Sequence, residues 1–532
     1  MSESQYSYNT VAMRIDTIKL ENDTESPLYL KLADALRRAI LSGEAAKGER
    51  LPSIRRLSDS VNVNPATAVA AYRILEREGW VLAKAGSGVY VAGIPDVQPE
   101  GTPFPRGTHS SRNGGPSLDG SLLDLSQGRV VLSPSILDMA AGTPSPALFP
   151  VPQFKSLMDE VLDRDGGWAF GYQESAGWLP FRKALADYAC SALGIKAGAD
   201  DIRVVSGAQQ GIDLAAKALL KTGDTALVEA PTYRGALAVF WSRGADTVPI
   251  PTHTDGMATA TVDVKAGTMN IGALEKLLRE RRPRLAYVIP RYQNPTTTCW
   301  READMRALLD LAEQHNFYVL EDDLLSDLHY GTKQKPSCLK AMDQNDRVIY
   351  VRSFSKVLMP GLRLGMLVVP RALRERFEAA KRATDISTDG FIQRAVELYM
   401  RRGLHVERLE FLKTHYAKVY AAAVEEIRER LEPLGVSWIP PGGGLHVWLR
   451  LPASVTGTAL HGLALTRGAA VVPSSVYGED SGRQDSHIRV SFASLSAGEV
   501  RRGIRILEEA LKELLVKSPN AEKHGPSARP FL

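Results

Sequence analysis

SFSKVLMPGLRLG, residues Ser353 to Gly365, joins a lysine, two spaced serines, an arginine and turn-forming glycines to the end of an apolar run. The preceding RVIYV is β-branched and aromatic and predicts a buried strand, so Ser353, Ser355 and Lys356 fall at its C-terminal end. Open α/β sheets receive their ligands at that end. Lys356 can form a Schiff base with an aldehyde, and an amine desolvated beside Arg363 has the lowered pKa that such chemistry needs. Ser353, Ser355 and Arg363 can together hold a phosphate, the hydroxyls as donors and the arginine as a fixed fork. Gly361 and Gly365 are expected to let the backbone turn closely around it.

The surrounding chain repeats the arrangement. IRVVSG, TALVEAP, LAYVIP, FYVLEDD, RVIYVRSF and LRLGMLVVP are short β-rich runs, with helical patterns such as AQQGIDLAAKALLK and READMRALLDLAEQH between several of them. Alternation on this scale predicts an α/β, mostly parallel sheet. The first run leads to Gly207, Ala208 and Gln209, a small-residue turn opening a helix, where backbone N–H groups favour a phosphate. EAPTY ends in Tyr233, a ring that can stack on a heteroaromatic group or simply pack. Asn294, in VIPRYQNPTT, places an amide at a strand end, able to meet a phenolic oxygen or to close an Asx turn. Asp322 follows an apolar strand, and a carboxylate buried there needs a cation. A protonated pyridine nitrogen is one such cation. A metal is another, but the nucleotide-dependent sites that use an acidic strand end also carry GxxxxGK[ST], which the sequence lacks.

The N-terminal part reads differently. Leu28, Leu32, Leu36 and Ile40 recur at one helical face, with Gly43 as a stop. Ser53 can cap a second helix that turns Arg55 and Arg56 outward and Ile54 and Leu57 inward. Asn64 and Pro65 open a third, ATAVAAYRILERE, ending at Gly79. WVLA and VYVA, joined by KAGSG, predict a two-stranded wing with Gly86 and Gly88 at its tip. Three helices and a wing make a winged helix-turn-helix, whose third helix enters the major groove of double-stranded DNA. The residues placed to meet DNA are Arg55, Arg56, Asn64, Thr67, Lys84 and Gly88, the last letting the wing approach the minor groove. Pro65, Ala66 and Ala68 leave few side chains for direct base contacts.

Composition agrees with two such bodies. The 532 residues are 44% apolar and 24% charged, with a formal net charge of +4. Residues 28–92 hold ten Lys and Arg against six Asp and Glu, an excess of four, so the whole imbalance sits on the DNA-facing segment. No apolar run is long enough to span a bilayer, and MSESQYSYNT lacks the features of a signal peptide, so a cytoplasmic protein without membrane contact is expected. Cys190, Cys299 and Cys338 are too scattered for a metal site and read as reduced thiols. The sequence divides into a flexible arm (1–25), the helix-turn-helix domain (26–93), a Pro/Gly/Ser-rich linker (94–135), a ligand-binding domain (136–515, its small subdomain from about 400) and a disordered tail (516–532). Such a linker spans about 35 Å as a random coil. LLDLSQGRVVL, near its end, is either a docking segment or a first strand. PGGGLHVWLRL and DSHIRVSFA are strands of a smaller C-terminal α+β domain, with Gly442 to Gly444 as a mobile edge.

S-x-S-K followed by G-x-R-x-G resembles the pyridoxal 5'-phosphate (PLP) lysine segment of fold-type I, class I/II aminotransferases, and the other strand ends match that pattern in order. The resemblance implies Lys356 as catalytic Schiff-base residue, Asp322 as partner of the pyridinium and Asn294 at the phenolic oxygen. It implies Tyr233 on the ring, and Gly207, Ala208, Gln209, Ser353, Ser355 and Arg363 at the phosphate. GYQESAGWLPFRKAL resembles the segment whose tyrosine, here Tyr172, reaches the neighbouring subunit's cofactor, which implies a head-to-tail homodimer. HIRVSFA resembles the strand whose arginine, here Arg489, takes the substrate α-carboxylate. The family usually places a tyrosine just after the aspartate, where this chain has Leu324 and Leu325, leaving Asn294 alone at the phenolic oxygen. LPSIRRLS, VNPATAVAAYRILEREG and GSGVYV resemble the GntR family of bacterial regulators, and the combination resembles the MocR group. The implied function is a transcriptional regulator that binds operator half-sites and senses PLP or an amino acid or amine ligand. The alternative is a working aminotransferase carrying a vestigial DNA module.

Overall fold

The computed structural model describes residues 28–41, 45, 48–77, 80–84, 88–92, 122, 125–126, 132–133, 135–252, 269–330, 336–477 and 485–517. The arm at 1–25, most of the linker, Gly43, Gly79, the wing tip at Gly86 and the tail from residue 518 lie outside the described residues, while Val516 and Lys517, expected in a disordered tail, close the helix Ala497–Lys517. Contacts divide the chain into two compact units, Met1–Gly114 and Gly115–Leu532.

In the first unit, helices α1 (Leu28–Leu41), α2 (Ile54–Ser60) and α3 (Pro65–Arg77) precede the antiparallel pair β1 (Val81–Lys84) and β2 (Gly88–Val91), with Val81 opposite Val91. The capping chemistry explains the boundaries. The Arg56 N–H donates to Ser53 Oγ at 3.3 Å, and the Ala66 N–H to Asn64 Oδ1 at 2.8 Å. Leu32, Leu36, Leu57, Ala68, Ala71, Leu75, Val81 and Val91 form one apolar core. Two inward assignments are corrected. Leu28, the first residue of α1, and Ile54, the first of α2, are exposed, because a terminal turn overhangs the face that the next turn buries.

The second unit opens with β3 (Leu137–Asp138). Its main sheet comprises β4 (Ile202–Val205), β5 (Thr225–Val228), β6 (Asp246–Pro249), β7 (Leu285–Val288), β8 (Tyr318–Asp323), β9 (Val348–Ser353) and β10 (Gly365–Val368), in the order β4-β10-β9-β8-β7-β5-β6. Only β10 runs antiparallel to its neighbours, so the predicted α/β sheet is present. The short edge strand β6, DTVP, had no signal: it is polar, partly exposed and ends in proline. Apolar clusters cover both sheet faces.

A smaller antiparallel sheet follows, built from β11 (Ser437–Trp438), β12 (His446–Arg450), β14 (Val472–Pro473) and β15 (His487–Ser491), while β13 (Ala469–Ala470) pairs parallel with β3. The long helices Leu404–Glu426 and Ala497–Lys517 belong to this C-terminal part. Of LLDLSQGRVVL, the described residues Leu122, Leu125 and Ser126 are helical, and the two leucines pack with Trp448, Val472, Val476 and Tyr477; the rest of that stretch, apart from Leu132, lies outside the described residues. At Gly442 to Gly444 the backbone is closely packed at its second and third residues. A Cβ on Gly443 would lie 2.4 Å from the Leu328 carbonyl oxygen and 2.6 Å from the Tyr292 ring, so the glycines serve close packing. Among the described residues no helix is long and apolar enough to cross a membrane.

Candidate active site and nucleic-acid interface

The carboxyl ends of β4, β5, β7, β8 and β9 carry the chemically loaded residues, and the antiparallel β10 brings its own amino end, Arg363 to Gly365, to the same sheet edge through the pair Gly365–Ser353. Gly207 adopts φ +86° as it opens the helix Ala208–Leu219. Arg363 Nη2 donates to the Ser206 carbonyl at 2.8 Å, and it would stand 2.8 Å from a Cβ at Gly207. Two segments over 150 residues apart in sequence are thus locked together. Gly365 is needed for that approach, since a Cβ there would meet the Arg352 carbonyl oxygen at 2.6 Å and Gly207 at 3.2 Å; Gly361 faces open space and has no such role, which corrects the expectation for it. Ser353 Oγ donates to Ser355 Oγ at 3.0 Å.

Tyr233 Oη donates to Gln209 Oε1 at 3.0 Å, and Gln209 Nε2 to the Gly235 carbonyl at 3.0 Å, tying the ring to the Gly207–Gln209 turn. Gly235 leaves room for that ring, which a Cβ would meet at 2.4 Å. On β8 the alternation of side chains separates EDD into two functions. Glu321 and Asp323 enter a buried ionic cluster, where Asp323 Oδ2 accepts from Arg291 at 2.8 Å, Arg352 at 2.7 Å and Ser326 at 2.7 Å. Those cations hold the Asp323 carboxyl well below the usual carboxylate range although burial opposes them. Asp322, on the other face, accepts from Tyr287 Oη at 2.8 Å; among the described residues its buried Oδ1 has no partner, and burial pushes the carboxyl up to about 7. An orphaned carboxylate oxygen at a ligand-receiving sheet edge fits a protonated ring nitrogen.

Lys356 is partly buried, and burial first, then the fields of Arg489 and Arg363, push its amine down to about 8. Asn294 is buried, and its Oδ1 accepts from Arg489 Nη1 at 2.9 Å; Arg489 Nη2 donates to the carbonyls of Ala140 at 2.6 Å and Ser126 at 3.0 Å. Leu324 and Leu325 pack into or against the apolar core, with no hydroxyl there. Tyr172 is 89% exposed.

Four residues escaped the sequence reading. Tyr287 supplies the bond to Asp322. Glu229, receiving the Ile289 N–H at 2.7 Å and Trp300 Nε1 at 2.8 Å, is pushed up to about 7 by burial. His446, on β12, is buried and pushed down to about 3 by burial and by Arg489, against backbone hydrogen bonds to Gln293 and Pro295; among the described residues the buried Tyr477 hydroxyl has no partner, and Arg489 lies over its ring at 5.4 Å. Among these Glu229 alone had a signal, as a carboxylate closing the run TALVE.

In the first unit Arg55 and Arg56 project from the first turn of α2, exposed, and Asn64 is exposed at the start of α3 with Thr67 partly buried behind it. Lys84 ends β1, its side chain lying outside the described residues. Gly88 opens β2 with a φ of +118°, and a Cβ there would lie 2.8 Å from Arg50 Nε, so the glycine also makes room for Arg50.

Residues 135–507 match the aminotransferase class I and II family, and residues 28–91 match the bacterial regulatory proteins of the gntR family. Aromatic-amino-acid aminotransferase 1 of Thermococcus litoralis is 31% identical over 73% of this chain and 91% of its own length. The probable rhizopine catabolism regulatory protein MocR of Rhizobium meliloti is 27% identical over 93% of this chain and 96% of its own, so the likeness includes both units. The crystal structure of Pyrococcus horikoshii kynurenine aminotransferase, in complex with PMP, superimposes with a TM-score of 0.66 at 30% identity, covering 74% of this chain and 94% of that one. The family match spans most of the chain: this chain belongs to the class I and II aminotransferase family and carries, ahead of that domain, a GntR-type helix-turn-helix.

Proposed function

We propose that this chain is a DNA-binding transcriptional regulator, a head-to-tail homodimer in the cytoplasm, whose aminotransferase-like domain uses pyridoxal phosphate to sense an amino-group ligand. In this reading residues 26–93 grip operator half-sites, 94–135 link, and 136–515 sense. When bound, PLP supplies an aldehyde for amines and a ring that withdraws electrons. Lys356 would hold it covalently, and Asp322 would meet its ring nitrogen. Asn294 would face its phenolic oxygen, Tyr233 its ring, and the Gly207–Gln209 turn with Ser353, Ser355 and Arg363 its phosphate. Arg489 would take a ligand carboxylate, and Tyr172, exposed on one protomer, would reach the site of its partner. Arg55, Arg56 and Lys84 would meet DNA phosphates, with Asn64 and Thr67 at the groove.

The observation that carries the cofactor reading is the buried, unpartnered Asp322 Oδ1. Sensing rather than turnover is supported by Leu324 and Leu325, which remove one donor to the phenolic oxygen. A working aminotransferase is the second reading, favoured by Lys356, whose amine near pKa 8 is suited to move a proton at the substrate carbon. The test is an absorption titration of the PLP-loaded full chain with a panel of amino acids and amines, together with an oxo-acid assay. A lasting spectral change without oxo acid is expected; accumulating oxo acid would establish turnover instead. Lys356→Ala should remove the covalent absorption band from a folded protein, and a band that persists would end the assignment of this lysine.

A further inference from the structure

Arg363 is exposed, and among the described residues its side chain has one hydrogen-bond acceptor, the Ser206 carbonyl at 2.8 Å. Its backbone lies in the left-handed region, at φ +48°, where the chain turns into β10. An arginine that presents its fork to a phosphate is only as well aimed as the group that holds it, and here that group is one peptide.

Ser206 is held in its turn. Its N–H donates to Gln210 Oε1 at 2.7 Å, and the other end of that carboxamide, Nε2, donates to Asp385 Oδ2 at 2.7 Å. A carboxylate can only accept, so the NH2 end of Gln210 must face Asp385, and the oxygen end is thereby turned on the Ser206 N–H. Lys381, fully buried, grips the same carboxylate at 2.8 and 2.9 Å and reaches Thr388 Oγ1 at 3.0 Å; Thr388 Oγ1 donates to the Val204 carbonyl at 3.2 Å. Between Asp385 and Thr388 the backbone passes through Ile386 at φ +62° and ψ −61°, and the Ser387 N–H donates to the Asp385 carbonyl at 2.5 Å. That three-residue turn is strained for a β-branched residue. Strain of this kind persists where the surroundings over-determine it. Both ends of the turn are tied to the end of β4, Asp385 through Gln210 and Ser206, Thr388 through Val204.

We propose that Gln210 and Asp385 are positioning residues that, through Ser206, aim Arg363 at the cofactor phosphate. The inference rests on the reading of Arg363 as a phosphate ligand. Gln210 fixes the peptide before Ser206, and Arg363 docks on the peptide after it. One hydrogen of Nη2 is spent on that docking, which leaves the other guanidinium hydrogens for the phosphate. Both residues act through the peptide and not on the phosphate itself. Their loss therefore falls on the anionic part of the cofactor and spares the aldehyde and the ring.

The test compares the binding of PLP and of 5'-deoxypyridoxal, the same aldehyde with a methyl in place of the phosphate ester, to the cofactor-free full chain, read from absorbance. The wild-type chain should prefer PLP by about a hundredfold or more. Gln210→Ala and Asp385→Ala should each lower that preference about tenfold while leaving 5'-deoxypyridoxal binding within about twofold. Gln210→Met, similar in size, replaces the alanine variant if that one does not fold. Gln210→Glu alone sets two carboxylates face to face and should lower the preference as much. Combined with Asp385→Asn it reverses which partner donates, and the exchanged pair should return the preference to within about threefold of wild type. Single variants that keep the wild-type preference, or that weaken both ligands equally, would overturn the proposal, as would an exchanged pair no better than Gln210→Glu alone. A wild-type chain that binds the two ligands equally would overturn the phosphate reading of Arg363, and the relay with it.

Discussion

Asp322 and Lys356 are shifted in opposite directions by one cause, because burial disfavours whichever form is charged. The consequences for pH differ in sign. An acid whose folded pKa is raised binds more protons folded than unfolded, so its contribution to stability declines as pH climbs from its ordinary value of 3.8 to about 7. The cofactor-free chain therefore carries an uncompensated carboxylate at pH 8. Asp322→Asn should stabilise that form at pH 8 by about 1–3 kcal/mol, with a smaller gain at pH 5, while weakening PLP binding at least about tenfold through loss of the ring-nitrogen partner. Thermal melts at both pH values and a cofactor titration check this; a destabilised variant at pH 8 would mean that Oδ1 already faces a cation. For Lys356 the lowered pKa means that the neutral nucleophile appears as pH rises through about 8. The rate at which the cofactor-free chain captures PLP covalently should rise with a midpoint near pH 8, and a rate without inflection below pH 9 would place the amine in water.

Gly361 and Gly365 separate what a sequence shows at the level of elements from what it hides. Both read as turn glycines, yet only Gly365 sits where β10 crosses the Arg352 carbonyl and the Gly207 turn. Gly365→Ala should cost about 1–3 kcal/mol by overpacking and loosen the phosphate turn, whereas Gly361→Ala should stay within about 0.5 kcal/mol; chemical denaturation of the two variants, side by side with PLP affinity, decides it. The same distinction runs through the site. Ser353, Lys356, Asp322, Asn294 and Gly207 were legible because each ends an apolar run, and a polar group there has few structural uses. Tyr287 was not legible: in LAYV it is one more core residue, and only the register of β7 on β8, Tyr287 opposite Leu320, brings its hydroxyl to Asp322. His446 and Tyr477 reach Arg489 by the pairing of β12 with β15 and by ring packing, neither of which has a local signature. The run of glycines at 442–444 carried a packing role that was hidden for a related reason, since flexibility and close backbone approach use the same residue.

At the scale of the whole molecule residues 28–92, which contain the stretch that matches the GntR family, carry an excess of four positive charges, and the remainder of the chain balances to zero. That asymmetry, with the apolar opening of α3 at Pro65, Ala66 and Ala68, predicts binding dominated by phosphate contacts and weakly tied to base sequence. The electrostatic part can be isolated on a duplex of arbitrary sequence, where each neutralised phosphate contributes about 0.9 to the slope of log affinity against log salt. Arg55→Ala with Arg56→Ala should lower the magnitude of that slope by about 1.8 for each helix-turn-helix engaged, hence by about 3.6 if both protomers of a dimer hold the duplex together. Fluorescence anisotropy between 50 and 200 mM potassium chloride gives both numbers, one from a duplex with room for a single unit and one from a duplex several helical turns long. A slope that does not change removes these arginines from the phosphate contacts. A change of about 1.8 on both duplexes keeps the contacts but means that one unit binds at a time, so that any ligand acting on DNA binding would have to change the grip of a single module rather than the spacing of two.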